Sequence, residues 1–145
     1  MRIWFLILML AVAVPAGAHH PFTPYYDGSK LAVLNGVVAE LRIINPHVVL
    51  IVEVTGSDGK KERWGFEGLP PGVFSRNGVD LKTKLQPGTQ ITISGWPAKD
   101  PTAHFYSGRE ITFADKSTLA FGPTPEGADG WHCDGPCTFK YPEVR

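Results

Sequence analysis

Leu31–Glu67 reads LAVLNGVVAELRIINPHVVLIVEVTGSDGKKERWGFE, and this stretch decides the fold class. In the second half of Leu31–Ile44, Val37, Ala39, Leu41 and Ile43 alternate with Val38, Glu40, Arg42 and Ile44. A period of two marks a half-buried strand. Gly36 inside the run marks a bulge or a barrel bend. Asn45-Pro46 is a turn signal, and His47–Val54 (HVVLIVEV) is a second, β-branched strand. Ser57-Asp58-Gly59 closes a hairpin onto a third strand, Lys61–Glu67 (KERWGFE), with Arg63, Gly65 and Glu67 on one face and Trp64 and Phe66 on the other.

Outward from this core the strand rhythm breaks at Pro70–Asp80. Pro71 starts a short helix through Arg76, and Asn77-Gly78 ends it. After the turn Leu85–Gly88 come a fourth strand, Thr89–Trp96, and a fifth, Phe105–Phe113, with Ala114–Phe121 as one more short hairpin arm. Three strands, a helical insert and two strands is the order of an all-β, five- to six-stranded OB-like barrel with one short helix between strands 3 and 4. Its inward residues are drawn from Val37, Leu41, Val49, Ile51, Trp64, Phe66, Ile91, Ile93 and Ile111. A small β-sandwich is the alternative.

The flanks carry an address and a tail. Met1–Ala18 has Arg2 in a short basic region, an apolar run of 12 residues at Ile3–Val14, Pro15, and the small-x-small pattern Ala16-Gly17-Ala18. This is the pattern of a cleaved secretory signal, and the run is shorter than a membrane span needs. Cleavage after Ala18 removes Arg2 and leaves 13 basic against 14 acidic residues. That balance speaks against nucleic acid as partner, and no later segment is apolar enough for a stable span. The expected location is the periplasm or outside the cell. Residues 19–30 read as an extended arm with Pro21 and Pro24, its Phe22, Tyr25 and Tyr26 packing on the body. Residues 31–121 form the barrel, and 122–145 a Gly/Pro-rich tail.

Several motifs carry a resemblance. They are Ala18-His19-His20, Tyr26-Asp27, Asn45-Pro46-His47, Trp64-Gly65-Phe66-Glu67, Leu85-Gln86-Pro87-Gly88, and Gly95-Trp96-Pro97-Ala98-Lys99-Asp100. Their order over His19–Phe121 resembles a family of small exported bacterial proteins known as a domain of unknown function. More loosely, the strand order is similar to periplasmic OB-fold proteins. The resemblance implies fold and export and brings no catalytic activity.

Four groups of residues carry chemistry. Cleavage after Ala18 makes His19 the first residue, whose amine and ring nitrogen chelate copper in the arrangement called a histidine brace. Amine and imidazole nitrogens suit tetragonal Cu(II), and copper tops the divalent affinity order. His20, His47 and His104 are the candidate further ligands. His47 is the best placed, being at a strand start, and its bland role is capping a turn. Cys133 and Cys137, flanking Asp134-Gly135-Pro136 beside His132, read as a local disulfide in an exported chain, against a thiolate–imidazole metal site or a redox pair. The aromatics Trp64, Phe66, Trp96, Phe105 and Tyr106, with Tyr25 and Tyr26, read as core, with stacking on bases or sugars as the functional rival. The carboxylates Asp27, Glu40, Glu53, Glu62, Glu67 and Glu110 read as a solvated face, with no pair assigned for glycoside hydrolysis. Neither a GxSxG, HExxH, P-loop nor GxGxxG pattern occurs. The expected function is therefore a non-enzymatic exported binding module, with copper or a small envelope molecule as ligand. The alternatives are an envelope protein-interaction domain and, last, a copper-dependent oxidative enzyme.

Overall fold

The computed structural model describes Phe22, residues 24–123 and Val144. Six strands form one sheet: β1 (Ala32–Arg42), β2 (Val49–Thr55), β3 (Lys61–Glu67), β4 (Gln90–Pro97), β5 (Phe105–Phe113) and β6 (Thr118–Ala120). The order is β3-β2-β1-β4-β5-β6, antiparallel throughout except where β3 pairs with β5 in parallel. That parallel pairing closes the first five strands into a barrel, the OB-like arrangement expected from the strand order. β6 extends β5 beyond the closure.

Strands 3 and 5 begin and end where the sequence pattern places them. β1 is shorter than Leu31–Ile44: Leu31, Ile43 and Ile44 lie outside the ladder and are exposed. β2 starts two residues later than expected, and β4 is shifted by one.

A β-bulge lies in β1 where Val38 pairs with Val52 and Glu40 with Ile51, leaving Ala39 as the extra residue. Ahead of it the even-numbered residues Leu34 and Val38 face the barrel core, and beyond it Leu41 does. The expected inward Val37 is therefore only half-buried, and Val38 takes the core position. At Gly36 the two strands approach closely: a Cβ there would stand 2.5 Å from Val52 Cγ1 and 2.6 Å from the Glu53 carbonyl oxygen.

The barrel interior is filled by Val38, Leu50, Val52, Phe66, Ile91, Ile93 and Ile111, with Trp64 half-buried against it. Fully burying side chains of this size stabilises by roughly 1.5–3 kcal/mol each. Leu50 pairs with Phe66 and Val52 with Trp64, so these four share a face. Val49 and Ile51, expected in the interior, point the other way. They are as deeply buried, in a second cluster with Phe22, Tyr26, Trp96, Ala98 and Phe105. Both faces of β2 are thus covered, so its apolar run has no alternation from which to read a side.

Two short helices, rather than one, plug the barrel between β3 and β4. α1 (Pro71–Arg76) starts on its proline, buries Phe74 and ends at Asn77. α2 (Leu81–Lys84) was not expected. Asp80 caps it, accepting from the backbone N–H groups of Lys82 and Thr83, and Leu81 and Leu85 enter the core. No helix among the described residues is long and apolar enough to cross a membrane.

Candidate functional site

The arm is stitched to the outer face of the barrel. Tyr26 forms a β-bridge with Ala98, the Asp27 N–H donates to the Pro97 carbonyl at 2.9 Å, and the Lys99 N–H donates to the Tyr25 carbonyl at 2.8 Å. Phe22 packs edge-on against Trp96, ring centres 5.3 Å apart, and tilts against Tyr26 at the same separation. A turn follows in which Asp27 accepts from the Ser29 hydroxyl at 2.6 Å and pairs with Lys30 at 2.9 Å. The Ser29 hydroxyl first, and Lys30 after it, pull the Asp27 pKa down to about 2.

Beneath the arm lies a buried polar group. His47 and Glu67 are each 7% exposed and Ser107 is 3% exposed. The His47 ring uses Nδ1 toward the Gly68 carbonyl at 2.9 Å. A carbonyl only accepts, so it is Nδ1–H that donates in this contact. Glu67 Oε1 stands 3.6 Å from the same Nδ1. The Tyr26 hydroxyl donates to Glu67 Oε2 at 2.6 Å. Ser107 is the register partner of Glu67 across the parallel pairing. Phe22, Tyr26, His47, Glu67, Leu69 and Ser107 line a cavity of about 10 Å³, near the smallest that holds one water.

Glu67 corrects the reading of the carboxylates as a solvated face. The others follow that reading: Glu40 pairs with Arg42 at 2.8 Å, Glu53 with Lys61 at 2.7 Å, Glu62 accepts from the Trp64 indole at 3.2 Å, and Glu110 is exposed. Glu67 shares its face with Gly65, and that face is where the arm and Val144 pack. The signal available in the sequence was Gly65 itself, a glycine inside a strand marking close approach of another segment.

His104 lies elsewhere. It follows the 3-10 turn Pro101–Ala103 in a left-handed conformation, φ 49°, and stacks on Trp64 with ring centres 4.4 Å apart and planes 13° apart. The two rings border an open groove of about 630 Å³ together with Lys30, Lys99 and Tyr106. His47 and His104 therefore line separate cavities. His19, His20, His132, Cys133 and Cys137 lie outside the described residues. Among the described residues, no three His, Cys, Asp or Glu side chains converge as a metal set.

A family model described as a family of unknown function, DUF6152, matches residues 7–107. No curated protein and no solved structure matches the chain.

Proposed function

The chain belongs to this family of unknown function, DUF6152, and from that premise we propose that it is an exported, non-enzymatic binding module that takes up Cu(II) through His47 and the histidines of its mature amino terminus. The observation that carries the reading is the placement of His47. Its Nδ1–H is committed to a backbone carbonyl, which presents Nε2 as the donor nitrogen. Metal-binding histidines are held in this way, the second ring nitrogen donating to a carbonyl or carboxylate.

The arm supports the same reading. Phe22 forms part of the wall of the His47 cavity. His20 and His19 stand two and three positions before Phe22 in the sequence. A signal cleaved after Ala18 adds a free amine at His19. Amine and imidazole nitrogens match the donors that tetragonal Cu(II) prefers. His104, stacked on Trp64 in another cavity, has no role in this set.

Isothermal titration of the secreted protein with Cu(II), its amino terminus first defined by intact mass, tests the proposal. One Cu(II) per chain is expected, weakened at least tenfold by His47→Gln and by His19→Ala. Equally weak binding by all three proteins overturns it, as does a mature terminus at any residue other than His19.

A further inference from the structure

The groove beside His104 is open and about 630 Å³ in volume, within the range of about 300–1,000 Å³ that small-molecule sites occupy. Tyr106 forms part of its wall. That residue is 9% exposed, its ring stacked on Phe66 at 5.1 Å and tilted against Trp64 at 5.3 Å. Among the described residues its hydroxyl has no hydrogen-bond partner, and it is not one of the atoms sealed from solvent. Burial pushes the phenol pKa up with no hydrogen bond acting on it. A largely buried hydroxyl in this state lowers stability until something supplies the missing bond.

The polar groups around it are unequal. Lys30 pairs with Asp27 at 2.9 Å, so those two charges offset each other. Lys99 is exposed, and its ammonium has no ion pair among the described residues. Asp100 accepts from the Thr102 N–H at 2.9 Å and from the Thr102 hydroxyl at 2.6 Å, both at Oδ1, which leaves Oδ2 for another donor. The turn that Asp100 caps ends at His104, whose imidazole lies flat on Trp64. One face of that imidazole rests on the indole, and the opposite face of this exposed residue is turned away from it. The indole N–H already donates to Glu62 at 3.2 Å.

We propose that this groove binds a neutral saccharide, stacked on the outer face of His104 and hydrogen-bonded by the Tyr106 hydroxyl, with Lys99 and Asp100 holding further sugar hydroxyls. Three features select that class. Lys99 only donates, Asp100 Oδ2 only accepts and Tyr106 does both, and sugar hydroxyls, which donate and accept, match all three. The groove is lined by two lysines and two aspartates, a balance that suits a ligand without net charge. The C–H face of a pyranose ring carries the slight positive charge that an aromatic face attracts, while its rim carries the hydroxyls. A nucleobase also stacks, but its phosphates would meet the two carboxylates. His47 lines a different cavity, so the proposal stands apart from the copper reading.

Isothermal titration of the secreted protein in EDTA, with maltotriose, cellotriose and triacetylchitotriose as probes, tests this. At least one probe is expected to bind and to shift the NMR signal of the Trp64 indole N–H. Tyr106→Phe removes one oxygen and keeps the ring packing. It is expected to weaken that probe by about three- to tenfold, the worth of one hydrogen bond, while melting no lower than wild type, since no internal bond is lost. His104→Gly deletes the stacking face while relieving the left-handed backbone, and is expected to weaken the probe by about fivefold. Failure of all three probes to bind overturns the proposal, as does undiminished binding by either variant. A Tyr106→Phe protein that melts clearly below wild type overturns it too, because the hydroxyl then has a partner inside the fold. Tighter binding of trigalacturonate or of an oligothymidylate than of any neutral probe overturns it in favour of an anion or a nucleic acid.

Discussion

Phe105 lies across Gly65 so closely that a Cβ at position 65 would stand 2.3 Å from ring carbon Cδ2. The two residues are register partners in the parallel β3–β5 pairing that closes the barrel. Phe105 is 1% exposed and has no room to retreat. Closure of the barrel thus depends on the missing side chain.

Gly65→Ala is therefore expected to destabilise the protein by about 1–3 kcal/mol, the usual cost of overpacking a rigid core. Gly72→Ala is the control. Its nearest neighbour is the mobile end of Arg76, at 3.2 Å, and it sits in α1. Alanine there is expected to be neutral or stabilising by up to about 1 kcal/mol. Chemical denaturation of both variants reads the contrast.

Phe22→Ala is expected to cost about 3 kcal/mol, the low end for truncating a buried phenylalanine, because the site is near a chain end and relaxes more easily. Chymotrypsin should then cut at Tyr25 and Tyr26, which the wild-type arm protects. Val33, 62% exposed, provides the comparison: Val33→Ala is expected to stay within about 0.5 kcal/mol of wild type.

At His104 two effects oppose each other. The left-handed conformation costs a non-glycine residue about 1–2 kcal/mol, and the stack on Trp64 returns about 0.5–1.5 kcal/mol. His104→Gly removes both and is expected to lie within about 1 kcal/mol of wild type. His104→Ala keeps the strain and loses the stack, so it should be less stable than His104→Gly by about 1 kcal/mol. Thermal melts of the pair decide the order.

Asp27 makes stability depend on acid. Its pKa of about 2 in the fold, set first by the Ser29 hydroxyl, lies below its ordinary value of 3.8. A depressed carboxylate contributes stability that is fully present above the unfolded value and is lost as pH falls through the folded one. The melting-temperature advantage of wild type over Asp27→Asn should be constant above pH 5 and shrink between about pH 4 and 2. The difference between the two proteins isolates Asp27 from Glu40, Glu53, Asp58, Asp80, Asp100 and Asp115, whose pKa values are also lowered.

What could be read in advance varied with the kind of signal. Strand β3, half polar along its length, was readable to its last residue. The parity of β1 was not, because the bulge at Ala39 changes which residues face inward and leaves no mark in the alternation beyond Gly36. Helix α2 was not readable, because four residues are too few to show a helical period, and its Asp80 cap emerged only in the structure. Among the candidate ligands, the sequence singled out His47 as expected at a strand start, which the structure places two residues further on at Val49, and for Glu67 it offered only the neighbouring Gly65 as a sign of close approach. A charged residue ending a strand looks the same whether solvent or another segment lies over it.

The local pattern alone settled the number of long strands, their order and the place of the helical insert. These depend on turn residues and a period of two, which are properties of neighbours in the chain. Only the tertiary structure decided that β2 is buried on both sides, that Tyr26 reaches Glu67, and that Glu67 backs His47. Those contacts join residues 41 and 20 positions apart, and they exist because the closed barrel turns one outer face toward the arm.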